Sequence, residues 1–180
     1  MGLNLFKIEA IEVASPVTSV TFSSIPQGYT DLVVVCSVRG TRAYAFDSAQ
    51  IRFNGDTGNN YSYRDLLGEG GGGGGTAASG SNTSRGISDR IYIVNVMPAA
   101  NATSNTFGSF NIYIPNYTSA NYKSVSVDAV CENNSATQGD VGDVLLAGLW
   151  NNTAAITSII VGSYSASFVA NSTFTLYGIL

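Results

Sequence analysis

A chain of 180 residues is long enough to bury the core of one domain without help from disulfides or metal. Its formal net charge of -4, with only 11% charged residues, offers no basic surface for nucleic acid or for an anionic membrane. The chain contains no histidine, which removes the commonest general base and the commonest metal ligand. We therefore predict a single non-enzymatic domain with no cofactor, no metal, no nucleic-acid partner and no membrane partner.

Five stretches alternate apolar and polar residues and are rich in Val, Ile, Thr, Tyr and Phe, which is typical of β-strands. In chain order they are TDLVVVCSVRG from Thr30, DRIYIVNV from Asp89, GSFNIYIPNY from Gly108, YKSVSVDAV from Tyr122 and STFTLYGIL from Ser172. In the fourth stretch Val125, Val127 and Ala129 fall on one face and polar residues on the other, which predicts a sheet with one side exposed to solvent or covered by a partner. The most helix-like piece, Arg64 to Leu67, is too short to form a substantial helix.

Turn signals such as Asn54-Gly55 and Pro115-Asn116 separate these runs at strand-length intervals. We predict an all-β, antiparallel jelly-roll sandwich of roughly eight to ten strands in one domain. An immunoglobulin-like sandwich is less suitable because the chain exceeds the ~100 residues typical of that fold and lacks its Cys, Trp, Cys pattern. The sandwich is assigned to residues 17–180, and residues 1–16 are assigned to an N-terminal arm.

The two cysteines, Cys36 and Cys131, each lie in a strand-like apolar pattern. We expect two buried thiols that act as small hydrophobes, rather than a disulfide. The longest apolar run, Leu32 to Cys36, is far shorter than the roughly 20 residues that span a bilayer. The N-terminus lacks the basic start and apolar block of a secretory signal, so we expect the protein to fold where it is made.

The run from Gly70 to Gly75 forms a long glycine-rich loop in this prediction. A phosphate-binding loop would continue with Lys and Ser or Thr and then a helix, whereas Thr76 to Ser79 reads TAAS. A hinge at this point would leave a first part too small to make a stable sandwich. Ordering six glycines costs about 6–12 kcal/mol, so we expect this loop to pack against a neighbouring subunit.

Acidic residues occur together at Glu132, Asp140 and Asp143, and Asp56 lies in the turn NGDTG. Either group could ligate calcium through oxygen, and a pair of carboxylates could flank a glycosidic bond. Neither stretch has the spacing of an EF-hand, and acidic residues in Gly- and Asn-rich turns usually stabilise the turn itself. We interpret both groups as turn residues, with metal binding and catalysis as the alternatives.

Several tyrosines lie in or beside predicted loops, where they could stack on sugars or be buried at a protein interface. These are Tyr61, Tyr63, Tyr117, Tyr122 and Tyr164. The single tryptophan, Trp150, is expected to fill the core or a subunit contact.

Five blocks in fixed order carry a resemblance to a known group of proteins. They are SVTFSSIPQGYTDLVVVCSVRG, IRFNGDTGNNYSYRDLLGEG, TFGSFNIYIPNYTSANYKSVSVD, AGLWNNTAAITSIIV and FVANSTFTLYGIL, between about Val17 and Ile179. Together they resemble small virion structural proteins of tailed bacteriophages, cyanophages and other marine phages among them. The specific part is IPQGYTDL, then RFNGDTGNNYS, then GLW with AIT, because a generic β protein would not carry these three in sequence.

The resemblance implies a non-enzymatic building block, a jelly roll that is repeated many times in the phage particle. We expect a capsid decoration, or cement, protein that assembles as a homotrimer on the major capsid protein, in a virion built in the host cytoplasm. The arm could pair with an edge on a neighbour, and the chain is expected to be a complete small protein without shaft repeats. The residues expected to make these contacts are Phe6, Ile8, Tyr61, Tyr63, Gly70, Gly71, Gly72, Gly73, Gly74 and Gly75.

Two other functions remain open from the sequence. A tail-fibre or receptor-binding domain would recognise host surface polysaccharide through loop tyrosines and carboxylates. A sugar-cleaving depolymerase would need a pair of those carboxylates as acid and base, and no other residue pattern supports it.

Overall fold

The computed structural model describes residues 4–69, 78–133 and 142–180, with the backbone alone described for residues 69 and 78–86. These ranges contain twelve β-strands and no helix. The strands are β1 (Leu5–Glu12), β2 (Ser19–Phe22), β3 (Asp31–Val38), β4 (Phe46–Phe53), β5 (Tyr61–Glu69), β6 (Ala78–Ser88), β7 (Ile91–Pro98), β8 (Gly108–Ile114), β9 (Lys123–Cys131), β10 (Gly142–Trp150), β11 (Ile159–Ser163) and β12 (Thr173–Ile179). The predicted all-β class is therefore confirmed.

The strands form two antiparallel sheets. One has eight strands in the order β1-β12-β3-β8-β9-β10-β5-β6, and the other has four in the order β2-β11-β4-β7. The pairs β1 with β12, β2 with β11, β3 with β8, β4 with β7 and β5 with β6 are nested along the chain and alternate between the sheets. This nesting confirms a β-sandwich and is compatible with a jelly roll, to which the β9 and β10 hairpin is added between β8 and β5.

One hydrophobic core lies between the two sheets and draws residues from both. In β9 burial alternates along all nine residues, so that Val125, Val127 and Ala129 face the core as the sequence pattern predicted. Each fully buried Val, Leu, Ile or Phe side chain stabilises the fold by about 1.5–3 kcal/mol. The alternation therefore both orients the strands and supplies the burial that holds the sheets together.

The twelve observed strands exceed the predicted eight to ten, and three of them have sequences that carry little strand signal. β2 and β11 are only four and five residues long. β6 reads ASGSNTSRGIS and pairs with β5 through its backbone. The segment Arg64 to Leu67, the most helix-like by sequence, lies inside β5. Backbone pairing in the sheet overrides weak local preference at these positions.

The N-terminal arm forms an edge strand of its own chain. β1 pairs with β12 along its length, with a register shift between Lys7 and Glu9. Most of its residues are exposed, although Ile8 packs partly against the core. Phe6 is 41% exposed, with its ring 6.0 Å from that of Tyr29. The arm is therefore held on one side by β12, while its outer side pairs with no strand in the described ranges.

Both cysteines are buried free thiols, which confirms the sequence interpretation. Burial raises the pKa of Cys36 well above its ordinary value, and burial together with the charge of Glu132 raises the pKa of Cys131 to about 12. Neither thiol is thereby activated as a nucleophile. In the part of the chain that the structure describes, no helix is long and apolar enough to cross a membrane.

Candidate functional site

The three most specific blocks of the resemblance meet at one end of the sandwich. Asn54 and Gly55 both have positive φ, at 52° and 66°, and form the tight turn that the dipeptide predicts. The Asn54 side chain accepts hydrogen bonds from the backbone N–H of Thr157 (2.8 Å) and of Ser158 (3.1 Å) and donates to the carbonyl of Ala155 (2.8 Å). The NGDTG turn is thus joined to the AIT segment.

Asp56 fixes the same turn to the GLW block. Its carboxylate accepts from the indole N–H of Trp150 at 2.8 Å, from the side-chain amide of Asn60 at 2.9 Å and from the backbone N–H of Gly58 at 2.8 Å. Partial burial opposes ionisation, but these hydrogen bonds outweigh it and lower the pKa of Asp56. The Trp150 side chain is buried against Phe53 and Tyr61, so the prediction that it fills the core is confirmed.

The IPQG block completes this arrangement. Gln27 donates to the carbonyl of Ile156 at 3.0 Å, and the backbone N–H of Ile25 donates to Thr157 O, also at 3.0 Å. The Tyr117 hydroxyl donates to the carbonyl of Pro26. We call this set the junction: Ile25, Gln27, Asn54, Asp56, Trp150, Ile156 and Thr157. Its polar groups are used in internal hydrogen bonds, so the junction stabilises the fold rather than presenting a reactive group.

The acidic residues do not converge. Asp56 bonds to Trp150 at one end of β10, whereas Asp143 lies exposed near the other end. Seven residues of strand separate Asp143 from Trp150, about 23 Å at 3.3 Å per residue. That separation exceeds the 5–9.5 Å at which two carboxylates flank a glycosidic bond. Glu132 is exposed beyond β9, and Asp140 lies outside the described residues.

The predicted contact residues divide into three groups. Phe6 is exposed, and Ile8 is half-buried on β1. Tyr61 and Tyr63 belong to β5 and are buried, with Tyr61 as the first residue of the strand, directly beside the preceding loop. The run of glycines from Gly70 to Gly75 lies outside the described residues.

The remaining loop tyrosines also differ from one another. Tyr117 is fully buried and bonded to Pro26, so its ring belongs to the core. Tyr122 and Tyr164 are 56% and 51% exposed. Only these two of the five predicted tyrosines present most of a ring to solvent. All three loop tyrosines lie outside the strands, so the contacts of each loop, rather than alternation along a strand, decide how far its tyrosine is buried.

A cleft that the sequence did not predict lies beside β7. It has a volume of about 380 Å³ and is lined by Tyr63, Ser88, Asp89, Arg90, Tyr92 and Tyr164. The Asp89 carboxylate pairs with the guanidinium groups of both Arg90 and Arg52. Hydrogen bonds from Arg90 outweigh partial burial and, with those from Arg52, lower the pKa of Asp89 to about 2. The sequence feature that could have indicated this cleft is the adjacent pair Asp89-Arg90, directly before an apolar strand.

A second, apolar cleft lies on the outer face of the larger sheet. Leu66 of β5 and Leu145 of β10 are directly opposed and about 60% exposed, and Val130 of β9 lies beside them. Asp128 and Asp143 flank these side chains in a cleft of about 450 Å³. We call Leu66, Val130 and Leu145 the apolar patch. Exposed apolar groups of this kind often mark contacts with other proteins.

No protein-family model and no curated protein matches this chain. Among the described residues, no group of three or more Cys, Asp or Glu side chains is placed to hold a metal ion. The candidate surfaces are therefore the edge of β1, the apolar patch and the cleft beside β7. Each is assigned a role below from its own chemistry.

Proposed function

We propose that this chain is a non-enzymatic structural protein of a tailed bacteriophage, a decoration protein that clamps neighbouring capsid subunits and stabilises the head. The observation that carries the proposal is that the three blocks behind the sequence resemblance form the junction. The residues that carry the resemblance are then explained by the internal hydrogen bonds through which they hold the fold together. A repeated building block needs a rigid domain more than it needs a reactive site.

Two described surfaces support a contact-making role. The outer side of β1 can add a strand to a neighbour through backbone hydrogen bonds. The apolar patch supplies area that is removed from water on contact, at roughly 25 cal/mol per Å². We propose that these surfaces meet the major capsid protein and further copies of this chain in a homotrimer. Many contacts of about 1,600 Å² each would act together on one shell.

The location is tested by imaging intact phage labelled with a gold-conjugated antibody against this protein. Label spread over the head is expected for a decoration protein. Label confined to the tail would contradict the proposal. Purified protein should also saturate emptied, expanded heads, and the double variant Leu66→Ser, Leu145→Ser should reduce that occupancy. A matched control is Tyr44→Ser, because Tyr44 is equally exposed but lies between β3 and β4, outside both proposed contact surfaces.

A tail-fibre domain that recognises host polysaccharide is the second candidate. The exposed rings of Tyr122 and Tyr164 favour it, since a sugar ring can pack on an aromatic face. Tail label together with saturable binding to host glycans would select this function. A depolymerase is the weakest candidate, because Asp56 and Asp143 are too far apart to act on one bond.

A further inference from the structure

The cleft beside β7 has an aromatic wall of fixed geometry. The rings of Tyr92 and Tyr164 meet edge to face, with centroids 4.6 Å apart and planes at 69°. The Tyr92 hydroxyl donates to Ser48 Oγ, and the backbone N–H of Tyr164 donates to Ser48 O, both at 2.8 Å. Ser48 is itself buried in β4. Because both tyrosines are held by one buried residue, the wall is preorganised for a ligand.

The cleft also carries a fixed group of charges, and the Arg90 guanidinium lies over the Tyr164 ring, 5.9 Å from its centroid. Arg90 donates from Nε and Nη2 to the Asp89 carboxylate, each at 2.7 Å, and from Nη1 to Gln50 Oε1 at 2.6 Å. Arg52 reaches the same carboxylate and also donates from Nε to the carbonyl of Asp89 at 3.0 Å. A guanidinium has five N–H donors. Toward described partners Arg90 uses three and Arg52 uses two, so Arg90, the one that lines the cleft, has donors to offer a ligand.

The local charge contrasts with that of the chain. Arg90, which lines the cleft, and Arg52, which lies behind Asp89 and does not line it, both pair with the Asp89 carboxylate, so these three groups together carry a formal charge of +1 in a protein whose net charge is -4. Arginine suits bidentate recognition of a carboxylate. The volume of about 380 Å³ falls within the roughly 300–1,000 Å³ of small-ligand sites. A ligand that fits both features would have a ring with apolar C–H faces, to pack on the tyrosines, and an attached carboxylate, to accept hydrogen bonds from the arginine.

We propose that this cleft binds an acidic saccharide, with one sugar face against Tyr164 and the sugar carboxylate at Arg90. Tyr164 is half exposed, which leaves ring surface available to the sugar. The Ser88 side chain, also in the cleft, can hydrogen-bond to sugar hydroxyls. The assignment rests on the cleft alone and holds whether the protein lies on the head or on the tail.

The test is calorimetric titration of the whole protein with tetragalacturonate as the acidic probe and maltotetraose as the neutral one. We expect saturable binding of tetragalacturonate, weakened by added salt, and binding of maltotetraose at least about tenfold weaker. Tyr164→Ala should weaken tetragalacturonate binding about fivefold to tenfold. Arg90→Gln should weaken it about tenfold or more, because a charge-assisted hydrogen bond is lost.

Tyr44→Ala is the matched control, since Tyr44 is as exposed as Tyr164 but does not line the cleft. The affinity of this control variant for tetragalacturonate should equal that of the unchanged protein. Thermal unfolding of each variant shows whether the fold is intact, and Tyr164→Phe, which keeps the ring, should bind normally. Absence of tetragalacturonate binding, equal affinity for both probes, or full affinity in Tyr164→Ala would each overturn the proposal. Head occupancy is measured separately and should be unchanged in Tyr164→Ala.

Discussion

Replacing Asp56 with alanine tests whether the junction stabilises the fold. The substitution removes the acceptor of the Trp150 indole N–H, which is buried with 1% of the residue exposed. A hydrogen bond to a charged group contributes about 1.5–3 kcal/mol, and the lost acceptor for Asn60 and Gly58 adds a smaller amount. We expect the free energy of unfolding to fall by about 2–4 kcal/mol. For a domain of this size the melting temperature should fall by about 4–16 °C.

The assay is urea unfolding followed by the fluorescence of Trp150, the single tryptophan, which lies within the junction. Asp143→Ala is the control, because it removes an exposed carboxylate at the other end of β10 and should change stability by no more than about 0.5 kcal/mol. If Asp56→Ala were as stable as the unchanged protein, the junction would not have the structural role assigned to it.

The stability difference between the unchanged protein and Asp56→Ala should change with pH in a direction that the pKa of Asp56 sets. The pKa of Asp56 is lowered in the folded protein, so its carboxylate stabilises the fold above the ordinary value of 3.8. That contribution is lost as the pH falls below 3.8 through the folded pKa. The stability difference between the unchanged protein and Asp56→Ala should therefore shrink in this acid range. A constant difference would mean that the charge of Asp56 contributes nothing.

Three further predictions concern the rest of the sandwich. Gly108→Ala should destabilise by at least about 2 kcal/mol in urea unfolding, because its Cβ would press on the backbone of β7, whereas Gly28→Ala, with open space around it, should be neutral. Burial raises the pKa of Tyr61 to about 12, so its stabilising contribution is complete below pH 10 and is lost as the pH rises from 10 toward 12. Tyr61→Phe should accordingly show a shallower loss of stability in that range, and an unchanged slope would contradict the assignment. Cys36 and Cys131 should react with a thiol reagent such as dithionitrobenzoate only at the rate of unfolding, and rapid labelling of the native protein would refute their burial.

The strands with strong alternation were predictable, and those held by their neighbours were not. β9 shows period-two burial over its whole length, as its sequence indicates. β6 has almost no apolar pattern and becomes a strand because β5 offers it backbone partners. The burial of Tyr61 and Tyr63 was not predicted, because turn residues precede them closely and indicated positions in or beside a loop. A turn signal locates a boundary only to within a few residues, which is enough to misplace a side chain at a strand end.

The sequence by itself determined the all-β class, the single solvent-exposed face of β9 and the burial of both thiols, because each depends on local alternation of apolar residues. Only the tertiary structure decided which distant residues meet. Asp56 reaches Trp150 across 94 positions, and the charged start of β7 faces a tyrosine that follows β11. Periodicity specifies which way a side chain points along its own strand. It carries no information about which strand becomes the neighbour, and that choice follows from closure of the two sheets around a common core.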